Sequence, residues 1–210
     1  MTLQYILFDL DNTLYSPRYG LELHVGRRIT EFLVAYLGLS PEEALGQRRE
    51  LFRHYGTTLE WLIAEKGYTD IEAYYQAIHP EGEADTLAPD PGLRDFLESL
   101  PLPQGILTNS PREHADRILA KLGVADCFTH IFDIRWNGFK GKPHAEAFRR
   151  ALNTLGTIPE TTLFIDDTLR CVSGYRALGG PGLLLDEENR YPAYPYPRIR
   201  DLRDLRGFLH

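Results

Sequence analysis

The sequence predicts an α/β fold: a parallel sheet covered by helices on both faces, with a small helical segment inserted after the first strand. Three observations carry this reading. Leu3-Gln4-Tyr5-Ile6-Leu7-Phe8 is a short apolar run that stops abruptly at Asp9–Thr13, the pattern of a strand buried on both faces. From Gly92 onward, short apolar runs alternate with helical patterns, which implies a parallel sheet built from βα units. Between the two, residues 21–79 carry helical periodicity and no strand pattern.

The elements follow in order. Val25, Ile29, Phe32, Leu33, Tyr36 and Leu37 recur at helical spacing. Ser40-Pro41-Glu42-Glu43 reads as an N-cap, a proline at the first helical position and a capping box. Thr58–Glu65 and Ile71–Ile78 read as two more helices. Residues 80–91, rich in Pro, Gly, Asp and Glu, read as a linker. Then come a helix over Gly92–Leu100 and a strand over Gly105–Thr108. Ser110-Pro111 caps a helix running to Leu122. A strand over Thr129–Ile134 and a helix over Pro143–Leu155 follow. Next are a strand over Thr162–Ile165, a helix through Leu178 and a strand over Gly182–Leu185. The Tyr/Pro-rich stretch Tyr191–Pro197 reads as a rigid surface loop. The expected division is a core of residues 1–15 and 88–210 with a helical cap of residues 16–87.

Bulk composition narrows the function classes. A net charge of −7 and a pI of 5.5 argue against a nucleic-acid polymer as partner, though not against a small anionic substrate. No run approaches the roughly 20 apolar residues that span a bilayer, so no membrane partner is expected. The first apolar run is too short for a signal peptide. Cys127 and Cys171 lack metal-type spacing and read as reduced thiols. A cytoplasmic protein is expected; the sequence leaves its oligomeric state open.

Ligands of open α/β sheets bind at the carboxyl ends of the strands. The residues there are Asp9-Leu10-Asp11-Asn12-Thr13, Thr108-Asn109-Ser110, Lys140-Gly141-Lys142 and Asp166-Asp167-Thr168. Each alone has an ordinary explanation as a turn, cap or surface group. Together they place four carboxylates, hydroxyls and a lysine on one edge. Clustered carboxylates repel one another and resist desolvation. A hard divalent cation relieves this, and oxygen ligands with room for water and phosphate favour Mg²⁺. A lysine and a threonine hydroxyl opposite complete a phosphate cradle.

These four segments resemble the motifs of the haloacid dehalogenase (HAD) superfamily, whose core is Rossmann-like, and the helical insert matches that superfamily's cap after the first strand. The resemblance implies that Asp9 attacks phosphorus and forms an aspartyl-phosphate. Asp11 would protonate the leaving alkoxide and then activate water, which calls for a raised pKa. Thr108 and backbone groups near Asn109 would hold phosphoryl oxygens. Lys142, preferred to Lys140 because it directly precedes Pro143, would neutralise their charge. Asp9, Asp166 and the backbone carbonyl of Asp11 would ligate Mg²⁺, with Asp167 a further ligand or an orienting group. Asn12, Thr13 and Tyr15 are further candidates for substrate binding.

Asp11-Asn12-Thr13-Leu14-Tyr15, His54-Tyr55-Gly56-Thr57-Thr58-Leu59 and Lys142-Pro143-His144-Ala145-Glu146-Ala147-Phe148 are similar to the pyrimidine 5′-nucleotidase branch. The implied partner is a small phosphorylated metabolite, a pyrimidine nucleoside 5′-monophosphate first. Tyr15, Arg18, Tyr19, His24, Arg27 and Tyr55 are candidates for the cap side. The rival readings are a haloacid dehalogenase, a phosphatase of sugar phosphates or other small esters, a phosphomutase, and a non-catalytic binder on the same fold. The two acidic pairs disfavour the dehalogenase, which needs no metal.

Overall fold

The computed structural model describes residues 2–209. Its sheet has six strands: β1 (Tyr5–Phe8), β2 (Gln104–Leu107), β3 (His130–Phe132), β4 (Thr162–Asp166), β5 (Gly182–Leu185) and β6 (Arg198–Ile199). All pairings are parallel, in the order β3-β2-β1-β4-β5-β6. β1 is therefore central, with Leu7 opposite Gly105 on one side and Phe164 on the other.

Side chains alternate across a strand, so β1 feeds two separate cores. Ile6 and Phe8 point into a cluster with Phe96, Leu97, Ile118, Leu119 and Leu205. That face is covered by α5 (Leu93–Glu98), α6 (Arg112–Leu122) and a closing 3₁₀ turn over Leu202–Phe208. Tyr5 and Leu7 point into the opposite cluster with Phe148, Phe164 and Tyr175. There α7 (Ala145–Leu155) and α8 (Leu169–Arg176) form the cover. Ile6, Leu7 and Phe8 have no exposed surface, and each stabilises the fold by roughly 1.5–3 kcal/mol through burial. The uninterrupted apolar run is thus explained by a strand with no solvent face.

Residues 21–78 form four helices: α1 (Leu21–Leu37), α2 (Pro41–Leu51), α3 (Thr58–Lys66) and α4 (Ile71–Ile78). The capping box at Ser40 forms as predicted: the hydroxyl accepts from the Glu43 amide, and the Glu43 carboxylate accepts from the Ser40 amide. Leu33, Leu59, Leu62, Tyr74 and Ile78 build a third apolar cluster, sealed against the core by Ile134. Phe32 packs edge-on against Tyr74 with centroids 5.0 Å apart. The proposed division at residues 15 and 88 crosses packed side chains, because Leu21, Ala84 and Leu87 belong to the core cluster. No helix among the described residues is long and apolar enough to cross a membrane.

Three local differences from the sequence expectations have physical causes. Helix α6 starts with Pro111 at its N-cap and no side-chain cap, because the Ser110 hydroxyl is drawn to Asp11 instead. Helix α7 starts at Ala145, two residues after Pro143, with His144 as N-cap. The mostly exposed Tyr191–Pro197 loop delivers the short strand β6, where Arg198 is held 2.9 Å from the buried Asp186. Neither β6 nor the closing turn was expected.

Candidate active site

β1, β2 and β4 end side by side, so residues 9–13, 108–110 and 166–168 emerge on one edge of the sheet. The Asp9 amide continues the ladder by donating to the Ile165 carbonyl at 2.8 Å. Lys142 arrives from the loop before α7, and its ammonium donates to Asp9 Oδ1 and Asp166 Oδ2, each at 2.6 Å. This lysine is only 2% exposed. Lys140, by contrast, pairs at the surface with Glu146 at 2.6 Å.

Asn109 explains how Lys142 is held. Its amide group donates to the Lys142 carbonyl and accepts from the Lys142 amide, both at 2.8 Å. The preceding residue must be small: a Cβ on Gly141 would lie 2.2 Å from Asn109 Oδ1. The Asn109 side chain is thus committed to the lysine loop, although it borders the cavity. Thr108 has no exposed surface, and its hydroxyl accepts from the Ser110 amide at 3.0 Å. Asp166 Oδ1 accepts from the Thr168 amide at 2.7 Å, so this residue both closes a turn and faces the lysine.

The electrostatics divide the carboxylates into two groups. Burial, outweighing Lys142 and reinforced by Asp166 and Asp11, pushes Asp9 up to about 7. Burial, with Asp9 nearby, does the same to Asp167, also to about 7. Asp166 is likewise raised by burial, with Lys142 opposing. Burial alone would strip the proton from Lys142, but Asp166 and Asp9 hold its ammonium above the usual range.

Asp11 behaves in the opposite way, which corrects the expectation of a raised pKa. Burial would raise it, but the charge of His114 and hydrogen bonds from His114, Tyr15 and Ser110 hold it well below the usual carboxylate range. The Tyr15 hydroxyl donates to Oδ1 at 2.6 Å and the Ser110 hydroxyl to Oδ2 at 2.7 Å. His114 Nε2 lies 2.7 Å from Oδ1, and its Nδ1 lies 2.8 Å from Glu83. With a carboxylate oxygen at each ring nitrogen, the imidazole donates from both only when protonated. Its pKa is accordingly raised to about 10: burial opposes the charge, but Asp11 and Glu83 outweigh it.

Carboxylate oxygens of Asp9, Asp166 and Asp167 lie within 4.8 Å of one another. Three hard oxygen donors, two of them raised to about 7 by burial and crowding, fit a Mg²⁺ ion, whose charge would replace the missing protons. The Asp11 carboxylate is turned away toward His114 and is not part of this group.

The other predicted residues are placed as follows. Tyr15 and Arg27 line the cavity. The Asn12 side chain is directed at Glu22 and Asp167, and Thr13 is buried; neither lines the cavity. Asn12 adopts a left-handed φ of 55°, a turn conformation that Asn tolerates well. Arg18, Tyr19, His24 and Tyr55 lie outside the lining; Arg18 pairs with Glu187 and Tyr55 with Glu65. Glu22, Glu83, His114 and Arg170 escaped the sequence reading. Of these, Arg170 ties the two helical layers together by donating to the carbonyls of Phe52, Tyr55 and Gly56. A lone histidine on the buried face of α6, starting at a site loop, was the one available signal for His114.

Above these groups lies a cavity of about 890 Å³. Its floor is Asp9, Asp11, Thr108, Lys142 and Asp166. Its roof comes from the helical insert, with Val25, Ile29, Leu59, Tyr74 and Ile78 among Thr30, Arg48 and Thr58.

Comparison with known proteins agrees with this layout. The chain is 29% identical over 199 residues to phosphate metabolism protein 8 of Saccharomyces cerevisiae, covering 88% of this chain and 62% of that protein. It is 23% identical over 247 residues to the phosphoglycolate phosphatase of Shigella boydii, covering 98% of this chain and 93% of that one. The magnesium-bound HAD-hydrolase YfnB of Bacillus subtilis superposes with a TM-score of 0.69 at 20% identity over 100% of both chains, a likeness of fold. Residues 3–179 match the haloacid dehalogenase-like hydrolases, and the chain belongs to that family.

Proposed function

We propose that the protein is a Mg²⁺-dependent phosphomonoesterase that works through a phosphorylated Asp9, with a pyrimidine nucleoside 5′-monophosphate as its leading substrate. The observation that carries this reading is the buried lysine between two carboxylates. Lys142 orients Asp9 and supplies fixed positive charge where a phosphoryl group would sit, while Asp9, Asp166 and Asp167 retain the donor set for a divalent cation. A dehalogenase has no use for that donor set.

In the proposed reaction, an Asp9 carboxylate oxygen attacks phosphorus and the bond from phosphorus to the leaving oxygen breaks. Asp11 delivers a proton to that oxygen. The arriving phosphate dianion raises the affinity of Asp11 for this proton, since a like charge disfavours the ionised form. Asp11, left as a carboxylate, then takes a proton from water; the water oxygen attacks phosphorus and the bond to Asp9 breaks. Its hydrogen bonds to Tyr15, Ser110 and His114 suit this second role, because they stabilise the charged form. Mg²⁺, held by Asp9, Asp166 and Asp167 with the Asp11 carbonyl, would supply charge compensation for the phosphoryl oxygens. Thr108 and the amides beside it border the same space and would receive the remaining oxygens.

The cavity supports a leaving group larger than glycolate. Its volume of about 890 Å³ is that of a site for a sizeable organic ligand, and the roof is largely apolar. Arg48 lines it with a buried Nε that has no hydrogen-bond partner, a donor suited to a base carbonyl. The relatives' names favour a second reading, a small acidic ester such as phosphoglycolate. Against it, Arg170 spends both terminal nitrogens on three carbonyls of the insert, and Arg48 spends one on the Gly26 carbonyl and Thr30.

A phosphate-release screen tests both levels. With Mg²⁺ the protein should hydrolyse p-nitrophenyl phosphate, and EDTA should abolish this. On a panel of nucleotides, sugar phosphates and phosphoglycolate, UMP and CMP should lead. No advantage for them would refute the pyrimidine assignment. A phosphosugar isomerised without phosphate release would instead indicate a mutase.

A further inference from the structure

Helix α6 enters the site with one buried polar side chain that the proposed mechanism does not use directly. His114 is 1% exposed, and its two ring nitrogens bridge Asp11 Oδ1 at 2.7 Å and Glu83 Oε1 at 2.8 Å. Glu83 is held in turn by His79 Nδ1 at 2.8 Å and by the Arg117 guanidinium. The rings of His79 and His114 lie 4.3 Å apart. The nearest oxygen and nitrogen ligands of His79, Glu83 and His114 are close enough to hold a metal. The Arg117 charge at 2.5 Å from Glu83 argues against that use and for an ion-pair chain.

We propose that His114, braced by Glu83, is a positioning residue that fixes the Asp11 carboxylate in the orientation needed to protonate the leaving oxygen. This rests on the phosphomonoesterase reading above. The geometry supplies the argument. Asp11 has a short, largely covered side chain that borders the cavity and turns about two bonds, and its carboxylate must present one edge to the substrate. Tyr15 and Ser110 hold it with hydroxyls that are themselves free to rotate. His114 is the only one of the three partners with a rigid ring anchored at its far side. Glu83 comes from the segment that returns from the helical insert to the core, so the brace spans the insert's exit, α6 and β1's loop.

General acid catalysis matters most when the leaving group is poor, and this gives a test that a merely structural role would fail. An alkyl phosphate such as UMP needs its oxygen protonated as the bond to phosphorus breaks; p-nitrophenolate leaves without help. kcat/KM covers only the steps through that first cleavage, so the ratio of kcat/KM for UMP to that for p-nitrophenyl phosphate reports the acid's placement. Glycerol 3-phosphate replaces UMP if the nucleotide is refused. Two variants separate the two ends of the ring. In His114→Gln, the amide nitrogen sits near the position of Nε2 and retains a donor to Asp11. In His114→Asn, the amide reaches only toward Glu83.

The alkyl-to-aryl ratio should fall about 100-fold in His114→Asn, the lower range for loss of a general acid, and fall less in His114→Gln, which keeps the donor to Asp11 but loses the anchor on Glu83. Glu83→Gln, which keeps the shape and removes the anchoring charge, should lower the ratio in the same direction and serves if His114→Asn fails to fold. Equal losses on both esters in His114→Asn and Glu83→Gln overturn the inference and leave the phosphatase reading intact. A wild-type protein inert on both esters overturns the phosphatase reading, and this inference with it.

Discussion

Removing the divalent cation should make the stability of this protein fall steeply with pH. Asp9 and Asp167 stand near 7 in the metal-free site, whereas an unfolded aspartate ionises near 3.8. The folded protein therefore holds protons that the unfolded chain has released. The stabilisation is complete below about pH 4 and is lost as pH rises through about 7. Moving Asp9 from 3.8 to about 7 corresponds to about 4 kcal/mol, at about 1.36 kcal/mol per pKa unit. Asp9 and Asp167 oppose each other's ionisation, so about 4 kcal/mol is taken for the pair rather than for each. Between pH 5, about two units below the folded value, and pH 8 about 2.7 kcal/mol of this is lost; for a chain of this size about 1 kcal/mol moves Tm by about 2–4 °C, which gives about 5–11 °C. Mg²⁺ held by these carboxylates would supply the charge that protons no longer do, so its stabilising effect should widen across the same window.

Asp166 and Glu22, both raised by burial, act in the same direction; the other perturbed groups around Asp11 do not. Asp11 and Glu83 are held below the usual carboxylate range, so their contribution is already complete above pH 5. His114, raised to about 10, loses its contribution as pH rises from about 6.5 through 10, but equally with and without the ion. The difference between melting curves in EDTA and in millimolar Mg²⁺, followed by circular dichroism at several pH values, isolates the aspartates. A Mg²⁺ shift that is as large at pH 5 as at pH 8 would refute the reasoning.

Three further outcomes follow from the same contacts. Asp9→Asn should abolish phosphate release while raising the metal-free Tm at pH 8, because it removes one of the repelling carboxylates; near-normal turnover would disprove the nucleophile assignment. Lys142→Met leaves Asp9 and Asp166 buried without their shared cation and should cost about 3–5 kcal/mol in urea unfolding with Mg²⁺ absent; a loss under 1 kcal/mol would mean that the pair is not the partner the geometry shows. Gly141→Ala forces a Cβ to within 2.2 Å of Asn109 Oδ1 and should lower kcat at least about tenfold by displacing Lys142, with melting temperature changed far less; unchanged kcat would remove the clamp from the account.

The parts of the site that sequence reveals are those attached to strand ends. Asp9, Thr108 and Asp166 each follow an uninterrupted apolar run, and a parallel sheet brings such positions together whatever else the chain does. Lys142 was legible because it precedes a helix pattern. The state of Asp11 was not legible. It is set by Tyr15, Ser110 and His114, which lie 4, 99 and 103 residues away, and nothing local to Asp11 announces them. Glu83 sits in a run that also holds Glu81 and Asp85, so it reads as one more solvated acid, yet it is 9% exposed and braces a histidine. Asn12 and Asn109 sit in loops where a substrate contact is expected, but the structure spends their side-chain amides on Glu22, Asp167 and the Lys142 backbone. β6, two residues long, is too short for any periodicity to register.

The helical insert leaves the sheet after β1 and returns before β2, and these two strands are hydrogen-bonded neighbours. Adjacent strands lie about 4.8 Å apart, so the insert adds a roof without asking the sheet to change its register or its order. Entry and exit form a socket. A roof of different size or lining can be exchanged there while Asp9, Lys142 and Asp166 stay where the strands put them. A graft of the helices α1–α4 from a relative should therefore transfer preference for a leaving group while Asp9, Asp11 and Glu83 of this chain stay in place.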